Sequence, residues 1–265
     1  MKKEGVILKM KTELKPVVDY YLPIGTEEVY MNELIGKNLN ISYLGEIHCI
    51  RCDKLTKKSY FQGYCYPCFI NSPETDECIL RPELCRAHEG ISRDMEWSKN
   101  NCLQDHYTYL AITSGLKVGV TRFSQIPTRW IDQGAWKAIR LALTPNRHLA
   151  GTIEVELKRY LADKTNWRHM LTNQLAKEIN LEAEKFRVSQ LLPEEMKKHI
   201  TDDNQITEIK YPVKHFPEKV KSISFDNENE YQGKLSGIKG QYLIFEGGNV
   251  INIRKHNGYL ISLKY

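Results

Sequence analysis

Two short cysteine motifs constrain this chain more than any other feature of its sequence. Cys49 and Cys52 form one CxxC motif, Cys65 and Cys68 form another, and twelve residues separate them. A two-residue gap lets both thiolates of a motif reach one ion, and two such motifs complete the tetrahedral sulfur shell of structural zinc. The alternatives are free buried cysteines or a redox CxxC, but a redox role needs one pair in a thioredoxin-like βαβ context, which is missing here. We therefore predict a structural zinc site with these four sulfur ligands.

A second group of soft ligands follows about twenty residues later. Cys85, His88, Cys102 and His106 are spaced C-x2-H-x13-C-x3-H, which is close to the spacing of two-Cys, two-His zinc fingers. Cys78 is a fifth candidate, and a closed site takes four ligands, so one of the five is a bystander. Buried cysteines and hydrogen-bonded histidines are the alternative to a metal site. We predict a second zinc at the four regularly spaced residues and keep Cys78 as the substitute ligand.

Composition places the chain among soluble globular proteins. Its 265 residues suffice for one large domain or two modest ones, and the net charge of +5 permits an anionic partner such as nucleic acid without requiring one. No apolar run is long enough to cross a membrane, and the N-terminal apolar run is too short for a secretory signal. We expect no membrane partner and a cytoplasmic location, where cysteines stay reduced and disulfides are rare.

The two ends of the chain read as β-structure. Residues 1–48 contain β-branched and aromatic runs broken by Pro and Gly, and residues 223–265 contain strand-like runs with Gly at each reversal. We predict β elements at both ends and expect them to pair with each other. Residues 49–106 hold too few periodic apolar positions to form a core of their own, so a bound metal must order this zinc-binding region.

The middle of the chain alternates between strand and helix patterns. Residues 107–175 begin with a hairpin around a Thr-Ser-Gly turn, continue with a helix that starts near Pro127, and then show a strand, "WKAIRLALT". A second helix carries an apolar stripe at Leu149, Ile153, Leu157 and Leu161. The order is β, β, α, β, α. Residues 176–222 read as a helical linker region, charged and amphipathic up to residue 200.

Several motifs resemble those of an uncharacterised bacterial family, classed as a domain of unknown function. They are "CIRC", "QGYCYPC", "CILRPELCRAHEG", "RDMEW", "KVGVTR", "PTRWIDQGA", "AGTIEVELK" and "DKTNW", and they cover most of the chain. Within this family, the region 107–175 resembles a divergent GIY-YIG nuclease core. That resemblance implies an α+β fold: a small mixed sheet with flanking helices, a zinc-ribbon insert, and β-rich N- and C-terminal elements.

The GIY-YIG resemblance also implies a set of site residues. The strand tyrosine matches Tyr109, the Tyr-Ile-Gly motif reads Lys117, Val118 and Gly119, the helix arginine matches Arg129, and the metal-binding glutamate matches Glu154. The second tyrosine is replaced by Lys117, and the usual histidine after the arginine has no counterpart. By this resemblance Glu154 binds Mg²⁺ or Mn²⁺, Arg129 stabilises the phosphoryl transition state, and Tyr109 or Lys117 handles the proton. A core tyrosine, a solvated arginine and a surface glutamate are the structural alternatives.

Cations and one aromatic residue around the hairpin are typical of surfaces that follow a nucleic-acid backbone. The candidate nucleic-acid-binding residues are Arg86, Arg93, Lys117, Arg122, Arg129 and Trp130. Charge runs are also typical of solvated faces, so composition alone does not show whether these residues bind nucleic acid. Two functional hypotheses remain open: a Mg²⁺-dependent phosphodiesterase resembling an endonuclease, or a non-catalytic DNA- or RNA-binding module that acts within a larger complex.

Overall fold

The computed structural model describes residues 1–161 and 166–265, so the Asp-Lys-Thr part of "DKTNW" lies outside the described residues. The strands are β1 (Lys2–Val6), β2 (Lys11–Glu13), β3 (Asp19–Ile24), β4 (Glu27–Tyr30), β5 (Asn38–Ile47), β6 (His106–Ile112), β7 (Leu116–Arg122), β8 (Lys137–Thr144), β9 (Ile206–Glu208), β10 (Lys221–Ile223), β11 (Glu230–Lys239), β12 (Tyr242–Phe245), β13 (Asn249–Asn252) and β14 (Tyr259–Lys264).

The α-helices are short. They are α1 (Tyr66–Asn71), α2 (Met95–Asn101), α3 (Thr128–Asp132), α4 (Arg147–Leu157), α5 (Trp167–Leu171), α6 (Leu181–Gln190) and α7 (Glu194–Lys197). Turns of 3-10 helix occur at Met31–Leu34, Pro73–Thr75, Glu77–Ile79, Pro82–Leu84, Ala87–Glu89, Phe123–Gln125, Glu246–Gly248 and Ile253–His256. Over the two described ranges, no helix combines the length and the apolar character needed to span a membrane.

The chain divides into two compact units. The first consists of Met1–Ile70, Leu171–Asn173 and Ile209–Tyr265, and the second of Asn71–Met170 and Gln174–Glu208. The sequence predicted one zinc-binding region over residues 49–106, but the structure divides that stretch after residue 70. Each unit therefore receives its own group of cysteines.

The first unit is built on a sheet that joins the two ends of the chain. Among the described residues its strand order is β1-β14-β5-β11-β12-β13-β10, antiparallel except for the parallel pair β10 and β13. Strand β14 lies between β1 and β5, so the N- and C-terminal elements pair as the sequence predicted. A separate sheet contains β2, β3 and β4.

A glycine in the turn before β14 lies against the residue that precedes the first CxxC motif. The backbone N–H of His48 donates to the carbonyl oxygen of Gly258 at 2.7 Å. Gly258 has φ of +86°, and a Cβ atom there would lie 2.2 Å from the His48 carbonyl oxygen. Any other residue would therefore clash with the backbone and would also be strained at this φ. The first CxxC motif therefore begins beside the turn that contains Gly258.

The second unit has a four-stranded antiparallel sheet in the order β7-β6-β8-β9. Central strand β6 is buried at every position, as expected for a strand that is covered on both faces. Its neighbours along the chain are β7, α3, β8 and α4, which is the predicted order β, β, α, β, α. The predicted α+β class is confirmed.

Helix α4 packs on this sheet through the predicted apolar stripe. Asn146 caps its N-terminus by accepting a hydrogen bond from the backbone N–H of Leu149 at 2.9 Å. Ile153 and Leu157 are buried in the core of the unit, and Leu161 contacts the same core from beyond the end of the helix. The charged stretch up to residue 200 forms α6 and α7, separated by a turn that includes Pro193.

Candidate metal centres and a cationic cleft

The first cysteine cluster comprises Cys49, Cys52, Cys65 and Cys68 and lies in the first unit. Their sulfur atoms all lie within 4.8 Å of one another, and the sulfurs of Cys52 and Cys65 are 3.8 Å apart. Bonds of about 2.3 Å from tetrahedral zinc place sulfur ligands about 3.8 Å apart. The cluster therefore has the ligand number, chemistry and spacing of a closed structural zinc site.

Local backbone structure shapes the first cluster. The N–H of Asp53 donates to the carbonyl of Cys49 at 2.8 Å, and the N–H of Cys49 donates to the carbonyl of Lys54 at 3.0 Å. Burial opposes ionisation of Cys49, but backbone N–H groups of Cys65, Arg51 and Cys52 donate to its sulfur and lower the pKa of Cys49 to about 6. Burial and the neighbouring thiols raise the pKa of Cys68, so the cluster favours a single thiolate before metal binds.

The second cysteine cluster comprises Cys78, Cys85 and Cys102 and lies in the second unit. Their sulfurs lie within 4.8 Å of one another, and among the described residues neither His88 nor His106 belongs to this group. The sequence placed both histidines in the site and kept Cys78 as a substitute. The structure instead brings Cys78 in through the turn Glu77–Ile79, which the Asp76 carboxylate caps by accepting from the Cys78 N–H at 3.2 Å.

The two predicted histidine ligands have other contacts. The ring of His88 stacks on that of His148, with ring centres 4.5 Å apart. The Nδ1 atom of His106 lies 2.6 Å from the carbonyl oxygen of Gln104. All three cysteines are buried, and Ala87, with the partly buried Trp97 and Leu103, surrounds them.

A polar cavity of about 280 Å³ lies in the second unit and forms the cationic cleft. Strand β7, helix α3 and helix α4 contribute its charged side chains. The cleft is lined by five cations, Lys117, Arg122, Arg129, Arg147 and Lys158, together with Glu154, Gly119, Gln133 and His106. Positions 147, 151, 154 and 158 share one face of α4 because three and four residues correspond to about one helical turn. The structure thus brings Lys117, Arg129 and Glu154 of the predicted catalytic set together.

Glu154 is the one acidic side chain in the described lining of the cleft. It is only 8% exposed, and burial raises the pKa of its carboxyl group although the charges of Lys158 and Lys117 oppose that rise. Its Oε2 atom lies 3.3 Å from the ammonium nitrogen of Lys158. A buried carboxylate among cations is suited to hold a divalent ion when a phosphate supplies further oxygen ligands.

Tyr109, the fourth predicted catalytic residue, lies beneath the cleft. It is fully buried, and its hydroxyl donates to Oε1 of Gln133 at 2.9 Å. Its ring packs on Gly119, its partner in the β6–β7 pair, where a Cβ atom would lie 2.6 Å from the tyrosine oxygen. Burial raises the pKa of Tyr109, while the charge of Arg129 acts to lower it. Tyr109 therefore supports the residues that line the cleft.

The predicted nucleic-acid-binding residues are only partly brought together. Arg122 and Arg129 line the cleft with Lys117. Trp130 is 1% exposed and packs edge-on against Tyr109, so it belongs to the core and offers no face to a base. The remaining two line a different cavity: Arg86 pairs with Glu89 at 2.8 Å and Arg93 pairs with Asp76 at 3.0 Å.

Arg147 connects the second cluster to the cationic cleft. Its backbone N–H donates to the carbonyl of Cys102 at 2.8 Å. Its guanidinium donates to the carbonyl of Asn101 at 3.2 Å and contacts that of Cys78 at 3.4 Å. Ile79 and Pro82, which follow Cys78, form part of the cleft wall. Metal at the second cluster would therefore hold a wall of the cleft in place.

Comparison with known proteins gives a family but no precedent for activity. The family model described as "Protein of unknown function (DUF2797)" matches residues 36–261, a range that includes both clusters and the described cleft. The chain belongs to the DUF2797 family. A search of curated proteins gives no match, and a search of solved structures gives none either.

Three cleft residues of this DUF2797 protein were not assigned to the cleft from its sequence. Lys158 lies four residues after Glu154, a spacing that predicts an ion pair on one helix face. Arg147 is the first residue of the same helix, and no spacing in the sequence around it indicated that it lines the cleft. His106 lines the cleft with a buried Nε2 atom that has no hydrogen-bond partner among the described residues. Burial lowers the pKa of His106 to about 4, so this nitrogen is an unprotonated acceptor at neutral pH.

We expect Gly151→Ala to destabilise the second unit and disorder the cleft wall. A Cβ atom there would lie 2.2 Å from the backbone nitrogen of Glu83 and 2.4 Å from the carbonyl carbon of Pro82. Alanine favours a helix interior by up to about 1 kcal/mol, but displacing packed backbone costs on the order of 1–3 kcal/mol. Thermal unfolding and zinc retention measure the outcome. Gly115→Ala is the matched control because its Cβ would meet nothing within 4 Å. Equal stability of the two variants would contradict the close contact.

Proposed function

We propose that this protein is a zinc-stabilised nucleic-acid-binding protein that cleaves phosphodiesters in its cationic cleft with one Mg²⁺ or Mn²⁺ ion. The observation that carries the proposal is the convergence of five cations around one buried carboxylate, Glu154. A phosphodiester brings one negative charge per nucleotide, and cations that replace its counterions bind it. A carboxylate in such a cleft repels phosphates and weakens their binding. Coordination of a divalent cation by the carboxylate oxygens removes this repulsion.

Each of four residues in or beneath the cleft has a different role in the hydrolysis. A divalent ion held at Glu154 would supply Lewis-acid polarisation of the phosphoryl group. Arg129 offers donors to the oxygen on which negative charge develops as water adds to phosphorus and the P–O bond to the leaving alcohol breaks. Lys117 lines the same cleft, and we assign it to accept the water proton. Tyr109 orients Arg129 from below.

The resemblance to GIY-YIG nucleases supports the same assignment. The elements occur in the order strand, strand, helix, strand, helix. Four positions carried over from that resemblance, Tyr109, Gly119, Arg129 and Glu154, lie in or directly beneath one cleft. Residues 45 positions apart in sequence meet at one site only when the fold brings them there, so their convergence favours a shared function.

The alternative is binding without cleavage, and one observation favours it. The ammonium group of Lys158 lies 3.3 Å from Glu154, where a divalent ion would otherwise neutralise the carboxylate. In that case Lys117 and Arg129 contact phosphates as point charges, and the protein serves as a DNA- or RNA-binding module within a larger complex. Mg²⁺ dependence distinguishes the two functions.

We expect the protein to bind DNA or RNA with an affinity that falls steeply with salt. Four or five phosphate contacts predict a loss of about a hundredfold between roughly 50 and 200 mM salt, because counterions released on binding drive the association. Fluorescence anisotropy with single- and double-stranded DNA and RNA measures this, and the same substrates with Mg²⁺ or Mn²⁺ reveal cleavage. Absence of binding to every form at low salt, or binding unaffected by salt, would exclude the nucleic-acid function.

A further inference from the structure

We propose that the second cysteine cluster binds zinc through three protein thiolates and leaves its fourth coordination position open, where an external nitrogen or sulfur donor binds. The cluster then differs in kind from the first. It is a ligand-exchange site in addition to a structural support. The proposal is independent of the nuclease function and holds whether or not the cleft cleaves phosphodiesters.

The number of ligands is the first observation. In the described part of the chain, the sulfurs of Cys78, Cys85 and Cys102 form a group of three, while the first cluster forms a group of four by the same distance criterion. Structural zinc sites are closed by four protein ligands, whereas sites that bind an exchangeable ligand have three and keep one position open. The first cluster thus serves as an internal reference for a closed site in the same molecule.

The histidines that the spacing offered as ligands lie outside the group of three sulfurs. His88 stacks on His148, and neither histidine has a ring nitrogen within 4.8 Å of all three sulfurs, although the buried Nε2 atom of His106 has no hydrogen-bond partner among the described residues. The described positions of these side chains therefore leave the fourth coordination position without a protein donor, and the His106→Gln variant tests this directly.

A cavity of about 360 Å³ adjoins the cluster, and all three cysteines line it. Trp97, Arg86 and Arg93 also line this cavity. Its volume exceeds the roughly 10–15 Å³ of such space that one water molecule needs, so a small organic ligand also fits. Three thiolates leave a divalent ion with one net negative charge, and the guanidinium group of Arg147, which contacts the Cys78 carbonyl at 3.4 Å, offsets part of that charge. The geometry thus provides the metal with both an accessible face and electrostatic compensation.

The ligand chemistry follows from the metal and its surroundings. Zinc bound by three thiolates accepts water, imidazole nitrogen or a further thiolate in the remaining position. We infer that water occupies this position at rest and that an imidazole or a small thiol displaces it. The aromatic ring of Trp97 on the cavity wall favours a compact ligand that carries a planar group.

Metal content and sulfur count provide the first test. The intact protein should hold two zinc ions per chain, and X-ray absorption should give an average of about 3.5 sulfur ligands per zinc, since one site has four and the other three. Cys78→Ser should lose one zinc. His88→Ala and His106→Gln should retain both ions with an unchanged sulfur count. A single zinc in the intact protein, or a changed nitrogen contribution in either histidine variant, would overturn the open three-thiolate site.

Ligand exchange provides the second test and requires no variant to fold. In Co²⁺-substituted protein, titration with imidazole or 2-mercaptoethanol should shift the visible d–d bands of one of the two ions. The closed first cluster should not respond, so half of the cobalt should be affected. Where Cys78→Ser folds, it should lose this response and keep the spectrum of the first cluster. A spectrum unchanged by both ligands would show a closed second site and refute the proposal.

Discussion

Cys52→Ser is expected to remove one zinc per chain and to make residues 49–70 sensitive to proteases. This segment has little hydrophobic core of its own, since Leu55, Tyr66 and Ile70 are exposed. Binding of structural zinc contributes on the order of 10 kcal/mol or more in small zinc domains, and that energy is largely their folding energy. Loss of one thiolate from a four-sulfur site should therefore unfold the segment. Limited proteolysis with mass spectrometry, together with zinc analysis, measures the effect.

The division into two units predicts which segment each cysteine variant exposes to proteases. Because Cys78, Cys85 and Cys102 lie in the other unit, Cys52→Ser should leave residues 71–106 as resistant as in the parent. Cys102→Ser is the matched variant, and it should expose residues 71–106 while residues 49–70 stay protected. Cleavage throughout residues 49–106 in both variants would mean that the two clusters order one common segment, contrary to the structure.

Glu154→Gln is expected to abolish Mg²⁺-dependent cleavage while leaving nucleic-acid affinity intact or slightly higher. The amide keeps the shape of the side chain but loses the charge that holds the ion, and it also removes a negative charge that faces phosphates. Rates under single-turnover conditions and binding by anisotropy separate the two effects. Glu156→Gln is the matched control, since its carboxylate pairs with Arg159 at 2.8 Å and is absent from the described cleft lining.

Arg129→Ala should reduce the cleavage rate by on the order of a hundredfold or more, the usual effect of losing one preorganised donor at a developing oxyanion. Arg159→Ala, which changes an exposed arginine, should have little effect on the rate. If the protein only binds nucleic acid, the parent cleaves nothing with Mg²⁺ or Mn²⁺, and Arg129→Ala merely weakens binding. Cleavage that persists undiminished in Glu154→Gln would exclude this glutamate as the metal ligand.

Features encoded over short distances were evident in the sequence. The two CxxC motifs specify the first cluster because two-residue spacing and a following turn bring each thiol pair together locally. Runs of β-branched and aromatic residues broken by Pro and Gly predicted the strands at both ends, and the stripe containing Ile153 and Leu157 predicted the buried face of α4. For the same reason the order of elements from β6 to α4 was correct.

Longer-range choices required the tertiary structure. Five soft ligands were available between residues 78 and 106, and spacing alone favoured His88 and His106 over Cys78. The path of the chain through successive 3-10 turns placed Cys78 beside Cys85 and Cys102. Spacing describes neighbours along the chain, whereas a metal site requires convergence in space.

The cationic cleft depended on packing in the same way. The sequence alone proposed Lys117, Arg129 and Glu154 through a family resemblance. The four-residue spacing to Glu154 could have pointed to Lys158, but nothing in the sequence indicated that Arg147 lines the same cavity. Trp130 was predicted to contact nucleic acid, but its packing against Tyr109 buries it. The sequence by itself determined the first cysteine cluster, the element order and the α+β class, because local spacing and periodicity encode them. Only the tertiary structure decided which cysteines group together in the second cluster and which charges line the cleft, because those depend on which distant segments pack together.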